Sequence, residues 1–463
     1  MSLPSAADLV ARYLKTGGYT ETLKAFILEA GLEPDAGSTS GDGITIDQIL
    51  QEKKTFDLSL NFEKLGVQDK NRPWLIPAPS EAKTIESIPT KSNILSTALL
   101  KCRLASTPEP KAYFAATTAD RRLHLFDPEA PSLPLIRSYS SFIDSPILDA
   151  LMVEGKYLLT GSMSGRLLLY CPETDQVLDE RRDQSKYIVK LAVQSFQGST
   201  IIATAGWDSK VFLYRLSTDD ASRPRLGNPI ASVTLSSVPE TLLFVKSPET
   251  SRPILLLSRR DSTFLHYYSV PSLSSDHAEL RLLGRQNLAP HSNAWVAFTP
   301  SDIQLSPTDP SLVAIATSST PHMKLLIVRL LIPPEERLEP SAEHPVTQAS
   351  QARDELLIQD REEASIAVNI NTMAPQTAYS TPRLTWRPDG SGVYVSSDDG
   401  VVRGFEASTG KHMATLSAHE PGSKIRCLWA GQLETNTPST SPQNEVLLTG
   451  AFDQRLILWS TSQ

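Results

Sequence analysis

The sequence is poor in the residues that build covalent or metal chemistry. Only three cysteines occur in 463 residues, and Cys102, Cys171 and Cys427 lie far apart, each inside a strand-like pattern. That excludes a disulfide framework and a cysteine-based zinc site, and it suits a reducing compartment. The eight histidines are scattered, with none at metal-ligand spacing from another, so no metal is expected. No apolar run is long enough to cross a bilayer, because KLLIVRLLIP (324–333) is short and broken by Arg329. The opening MSLPSAADLVARYLK lacks the uninterrupted apolar core of a secretory signal. A formal net charge of −8 gives no footprint for direct contact with nucleic acid or an anionic membrane. These absences predict a soluble intracellular protein, cytoplasmic, nuclear or both. Phosphate-loop and nucleophile-elbow motifs are lacking too: GSMSGR (161–166) has no helix after it, and no Gly-x-Ser-x-Gly occurs. Acid pairs such as Asp398-Asp399 fall in turns, where acids serve hydrogen bonding. Neither a cofactor nor an enzymatic activity is expected.

What the chain has is repetition. GAFDQRLILWS (450–460) reads as strand, tight Asp-bearing turn, strand and terminal aromatic. Weaker copies appear as AATTADRRLHLFD (115–127), LLTGSMSGRLLLY (158–170), IATAGWDSKVFLY (202–214), LLLSRRDSTFLHYY (255–268) and VYVSSDDGVVRGFE (393–406). Length alone would allow about three domains. Repeats spaced roughly 40–55 residues apart instead predict one supersecondary unit used many times, the blade of a β-propeller. Hydrophobic content of 40%, with 34 Pro and 22 Gly, fits a large, loop-rich β domain.

The repeats resemble WD repeats, although none keeps the Trp-Asp dipeptide at the end of its third strand. In that family a Trp, a strand Ser/Thr, the turn Asp and an upstream His form a buried hydrogen-bonded network. The resemblance assigns these parts to Trp459, Thr449, Asp453 and His419, as a structural set and not a catalytic dyad. It also implies that the residue before each turn Asp projects onto the propeller's narrow top face. That row reads Ala119, Met163, Trp207, Arg260, Asp398 and Phe452. Trp207, Phe452 and Arg260, with Met163, are therefore the candidate partner-binding residues, being types that dominate protein–protein hot spots.

The first 66 residues differ from the rest. Ser5-Ala6-Ala7-Asp8 begins a helix in the manner of a capping box, and Gly17-Gly18 stops it. Thr20 is placed to cap a second helix, which Gly31 terminates. Leu9, Tyr13, Leu14, Tyr19, Leu23 and Phe26 carry the apolar positions of this hairpin. DLVARYLKTGGYTETLKAFILEAG is similar to a LisH motif, and the resemblance implies homodimerisation through those residues. Two helices of about ten residues cannot bury two apolar stripes unaided. Packing against the chain's own propeller is the competing arrangement. Thr45–Gln48 begins a further predicted helix running to about Leu65.

Residues 67–91 are Pro-interrupted and read as an extended tether, with Trp74 packed against the propeller's side. Because Trp459 stands so near the last residue, blade seven lacks an outer strand. Thr84–Pro89 is predicted to supply it and so remove an open edge. The propeller spans 92–463, with blades at about 92–138, 139–182, 183–226, 227–272, 279–332, 366–416 and 417–463. The charged stretch 333–365 reads as a surface insertion with a short helix near Ala352–Ile358.

The fold class expected is mainly β: a seven-bladed β-propeller behind a small helical LisH-type dimerisation region. The function expected is a non-enzymatic homodimeric scaffold for other proteins of an intracellular multiprotein complex. Resemblance in architecture extends to dynein regulators, transcriptional corepressors and ubiquitin-ligase subunits. The alternatives are a subunit of a nuclear transcription, chromatin or ubiquitin-ligase assembly and, from a different class, a propeller enzyme.

Overall fold

The computed structural model describes residues 6–38, 46, 73–217, 224–271, 278–292, 297–335, 348–433 and 445–461. The chain divides into two compact units: Met1–Lys70 with Pro340–Ala364, and Asn71–Glu339 with Ser365–Gln463.

In the first unit, α1 (Ala6–Thr16) places Asp8 in its first turn and Lys15 in its last, both favourable to the helix dipole. Ser5 and the predicted helix over 45–65, save Ile46, lie outside the described residues. Gly18 turns the chain at φ 75°, and a Cβ on Gly17 would strike the Tyr19 ring at 2.6 Å. α2 (Thr20–Ala30) departs from expectation at its start. Tyr19 is the capping residue, no side chain caps the helix, and Thr20 is already helical. Its end is as expected, with Gly31 left-handed at φ 62°. A third helix, α3 (Gln348–Ala364), is longer than the one predicted at 352–358.

The second unit is a ring of seven antiparallel sheets. Strand β1 (Glu81–Thr84) belongs to the last of them. Blade one is β2–β5 (Ile94–Cys102, Lys111–Thr118, Arg122–Phe126, Leu135–Tyr139), and blade two is β6–β9 (Ile147–Val153, Tyr157–Ser162, Leu167–Cys171, Gln176–Arg181). Blade three is β10–β13 (Ile188–Phe196, Ser199–Gly206, Lys210–Leu216, Ala231–Thr234), extended by the short parallel β17 (Ala278–Glu279). Blade four is β14, β15, β16 and β18 (Pro239–Lys246, Pro253–Arg259, Phe264–Ser269, Leu282–Asn287). Blade five is β19–β22 (Pro300–Leu305, Leu312–Thr317, His322–Arg329, Ile366–Pro375), and blade six is β23–β26 (Leu384–Trp386, Gly392–Val395, Val401–Glu406, His412–Ser417). Blade seven is β27–β29 (Ile425–Gln432, Glu445–Ala451, Leu456–Ser460) with β1.

Three expected boundaries are corrected. The outer strands of blades three and four lie beyond 226 and 272, at Ala231–Thr234 and Leu282–Asn287. Ile366–Pro375 closes blade five and does not open blade six, since it pairs with β21 and aligns Ile370 with Leu325 and Val368 with Ile327. The insertion therefore falls inside blade five, between its third and outer strands.

Middle strands are buried on both faces, as Leu167–Cys171 shows along its whole length. That is why they read as continuous apolar runs. Seven hydrophobic clusters follow, one at each junction of neighbouring blades. The junction of blades seven and one has the same kind of core as the rest, packing Phe114 and Phe126 with Leu448 and Leu456.

The ring is closed by β1, which pairs antiparallel with β29, Glu81 opposite Ser460 and Thr84 opposite Ile457. The closing strand thus precedes the predicted Thr84–Pro89. Upstream of it, Trp74 is buried in the junction of blades six and seven. Its ring meets Tyr394 edge-on at 5.6 Å and lies under the Arg387 guanidinium at 4.3 Å. Gly392 and Gly404 admit the ring, because a Cβ would come within 2.3 and 2.7 Å of it. Arg387, fully buried, donates through Nε and Nη2 to Glu445 and through Nη1 to the Ile76 carbonyl at 3.0 Å. Tyr394 also donates to Glu445, at 3.0 Å. Burial would lower the Arg387 pKa, but the hydrogen bonds to Glu445 raise it above its ordinary value.

This junction generates a test. Glu445→Gln leaves a buried, unbalanced guanidinium and is expected to cost about 3–5 kcal/mol in equilibrium urea unfolding. Arg387→Met combined with Glu445→Leu is expected to recover much of that loss. A single-variant loss under about 1 kcal/mol would show that the pair does not hold the junction.

Candidate functional site

The seven turns between second and third strands bring a row of residues to one face. In all seven blades the first residue after the second strand donates its N–H to the carbonyl just before the innermost strand; in blade six this is Ser396 to Arg383 at 2.9 Å. Ala119 bonds Asn93 (3.0 Å), Met163 bonds Pro146 (2.9 Å) and Trp207 bonds Tyr187 (2.8 Å). Arg260 bonds Val238 (2.7 Å), Ser318 bonds Thr299 (2.9 Å) and Phe452 bonds Lys424 (3.0 Å). Asp398, two residues further into the blade-six turn, bonds Pro375 at 3.2 Å. Ser318 is the blade-five member that sequence reading lacked, because no turn acid marks it.

Trp207 and Arg260 meet. Trp207 is 39% exposed, and its ring stacks on Tyr187 with centroids 5.3 Å apart and planes 7° apart. The Arg260 guanidinium lies 5.5 Å from the Trp207 ring centre and is paired with Glu240 at 2.7 Å. Tyr187, Trp207, Arg260 and Glu240 therefore form one amphipathic patch across blades three and four. Met163, half-buried, stands on the adjoining blade two. Phe452 is 42% exposed on blade seven, and blades one and two lie between it and Trp207.

The turns beneath this row are held by side-chain networks. In blade seven, His419 Nδ1 is 2.8 Å from Asp453 Oδ2, and His419 Nε2 is 2.8 Å from Thr449 Oγ1. Trp459 Nε1 donates to Thr449 Oγ1 at 3.0 Å. Asp453 also accepts the N–H groups of Glu420 and Arg455, each at 3.0 Å. Burial alone would raise the Asp453 pKa; the hydrogen bonds from His419, Arg455 and Glu420 outweigh it and hold the carboxyl below its usual value.

Blade three has a counterpart that the sequence did not reveal. Gln184 occupies the His position, donating to Thr204 Oγ1 at 3.0 Å. Asp208 accepts from Ser185 N–H at 2.8 Å and Lys210 N–H at 3.3 Å. The available signal was a polar residue two or three positions ahead of an aromatic lead-in, which is weak without the His. In blade four Asp261 adopts φ 55°, and Ser262 Oγ accepts the Phe264 N–H at 3.3 Å, so a serine does the work of the turn acid there.

A channel of about 360 Å³ runs between the innermost strands. Thr97, Asp149, Lys190, Asp302, Arg383 and Trp429 line it, one from each of six blades. Asp149 accepts the Leu191 N–H at 2.9 Å and sits 3.6 Å from Lys190. Asp302 accepts the Leu384 N–H at 3.1 Å and sits 3.7 Å from Arg383. Among the described residues no three His, Cys, Asp or Glu side chains converge to hold a metal.

In the helical unit the six predicted dimerisation residues fall on both helices. Tyr13 and Tyr19 are exposed with ring centroids 6.5 Å apart, while Leu9, Leu14, Leu23 and Phe26 are half-buried. No residue of α2 is fully buried. Among the described helices none is long and apolar enough to cross a membrane.

Comparison with known proteins bears on the architecture. A family model described as UCP007778, beta-propeller domain, matches residues 59–459, and its companion, the UCP007778 LisH domain, matches residues 8–33. No curated protein matches. Among solved structures, Sqt1 of Saccharomyces cerevisiae is similar at 12% identity and a TM-score of 0.53, over 84% of this chain and 100% of that one. At that identity the likeness shows the fold alone.

Asp453→Ala removes an acceptor of three hydrogen bonds and is expected to destabilise the propeller by about 2–4 kcal/mol in chemical unfolding. The pH dependence has a definite sign. A depressed folded pKa stabilises above the ordinary carboxylate value of about 3.9, and that stability is lost as pH falls through the folded value. Asp453→Asn should therefore flatten the acid limb of the stability curve. An unchanged limb would place the carboxylate outside the network.

Proposed function

Because the chain belongs to the UCP007778 β-propeller family and carries its LisH domain, we propose that it is a non-enzymatic homodimeric scaffold. It dimerises through its N-terminal helices and binds partner proteins of an intracellular complex on the propeller's top face. The observation that carries the first half is the helical unit's unmet burial. Of the described residues of α1 and α2, only Ala11 is fully buried, while Tyr13, Tyr19 and Leu28 are exposed. Helices this short gain most of their stability from packing an apolar face, so the unit asks for a second copy. The rim supports the second half. A stacked Tyr187–Trp207 pair capped by Arg260 is half in water on a turn, with Phe452 exposed on another. Pairing two propellers turns two weak contacts into one avid attachment through effective concentration. The four-member network of blade seven is the reason to read the propeller as a divergent WD-repeat ring, and three free, buried cysteines suit a reducing compartment.

Light scattering on the full chain is expected to give twice 50.7 kDa, and Leu9→Asp with Leu23→Asp is expected to give the single mass. A full chain that is monomeric would end the dimer reading. Trp207→Ala with Phe452→Ala is expected to abolish capture of partners that the parent retains, with the thermal midpoint lowered by less than about 2 °C. A large fall in the midpoint would make these aromatics core residues.

A further inference from the structure

Between blades six and seven, next to the channel-lining residues Arg383 and Cys427, stands a cation that the described residues do not balance. Arg426 is the extra residue of a β-bulge in β27, where Ile425 pairs with Ala451 and Cys427 with Gly450. A bulge re-aims one side chain at the cost of a ladder position. Lys424, two residues earlier, has its carbonyl bonded by Phe452 N–H, so the bulge lies at the end of β27 nearest the rim. The Arg426 guanidinium donates to the Thr381 hydroxyl, and among the described residues no carboxylate lies within 4 Å of it. Burial, together with the positive charge of Arg383, lowers its pKa to about 10. The nearby acids are already engaged. Asp302 takes the Leu384 N–H and faces Arg383, while Asp398 pairs with Lys424 at 2.9 Å. In a chain of net charge −8, the corner beside the channel that holds Arg383, Lys424 and Arg426 against Asp302 and Asp398 is locally positive.

A half-buried guanidinium without a counter-ion, beside a second guanidinium at the wall of a 360 Å³ channel, lowers stability. Such arrangements mark sites where the missing charge arrives with a ligand. We propose that Arg426 and Arg383 bind an anionic side chain of a partner peptide, carboxylate or phosphate, inserted into the channel from the top face. Guanidinium forks suit both groups, because each presents two oxygens to parallel N–H donors. A nucleic-acid backbone fits less well, since one uncompensated cation matches one anion and the chain as a whole repels a polyanion. The proposal rests on the reading of this face as the partner-binding side, but it concerns different residues from the rim aromatics.

The test is fluorescence anisotropy on the full chain at low salt. The probes are labelled hexaglutamate, an alanine hexapeptide with one phosphoserine, hexalysine, and a single-stranded oligonucleotide. At least one acidic peptide is expected to bind, hexalysine is not, and R426Q is expected to weaken binding about tenfold. The phosphoserine and glutamate arms identify which anion is preferred. R426Q should unfold at the same temperature as the parent or higher, because it removes an unbalanced buried charge. The proposal is overturned by parental affinity in R426Q, by a markedly lower midpoint in R426Q, by no acidic peptide binding below about 1 mM, or by equal binding of the oligonucleotide. Failure in this assay leaves the rim reading standing, because that reading is decided by partner capture in W207A with F452A.

Discussion

The propeller depends on one pairing, that of Glu81–Thr84 with Leu456–Ser460. Seven sheets packed side by side form a ring, but one built from consecutive strands would leave β29 with an unpaired edge. The tether supplies the missing strand, and its hold does not come from apolar burial, since β1 is mostly exposed. The hold comes from upstream, where Trp74 fills the junction of blades six and seven under the guanidinium of Arg387. Arg387 bonds the Ile76 carbonyl and Glu445 together, tying the tether to both blades at once. A buried ion pair is often a weak source of stability, and its use here is better understood as fixing where an extended segment lies.

Above that closed ring, the rim is fixed by main-chain atoms while its side chains differ from blade to blade. In all seven blades the end of the second strand is fixed by a main-chain N–H on a main-chain carbonyl, a bond that any residue except proline can make. Because that bond uses only the main chain, the side chains at these positions vary widely: Ala, Met, Trp, Arg, Ser and Phe. The turns below are held by His419 with Asp453 in one blade and by Gln184 with Asp208 in another. Different side chains meet one geometric need, which is how the repeat can diverge while the blade persists.

What was legible follows from this division. Strand–turn–strand units could be read because middle strands are buried on both faces and leave continuous apolar runs. The blade-seven network could be read because its His, Thr, Asp and Trp are distinctive types at regular offsets. Gln184 could not, since a glutamine ahead of a strand carries no signal until its hydrogen bond to Thr204 is seen. The closing strand was placed a few residues late, because Glu81-Ala82-Lys83-Thr84 is a polar edge with no alternation to detect. Blade five lost its outer strand to blade six because the insertion separates Arg329 from Ile366. Arg387 and Glu445 belong to different blades, and no local pattern links them. The same is true of Arg426, whose significance lies in what is missing around it. Of the rim set, the sequence identified Trp207 and Arg260 but not that they touch, nor that Tyr187 lies beneath.

The closing pairing also has a consequence in time. Residue 81 pairs with residue 460, so a segment made early must wait until all the blades between have been made. Until then blade seven has an open edge and Trp74 has no junction to fill. Closure of this kind carries a high contact order and is intrinsically slow, and an unpaired strand edge is prone to wrong pairing while it lasts. The helices of residues 6–30 pack on each other and can form on the growing chain long before the ring is complete. During synthesis the helical hairpin can therefore form well before the propeller closes.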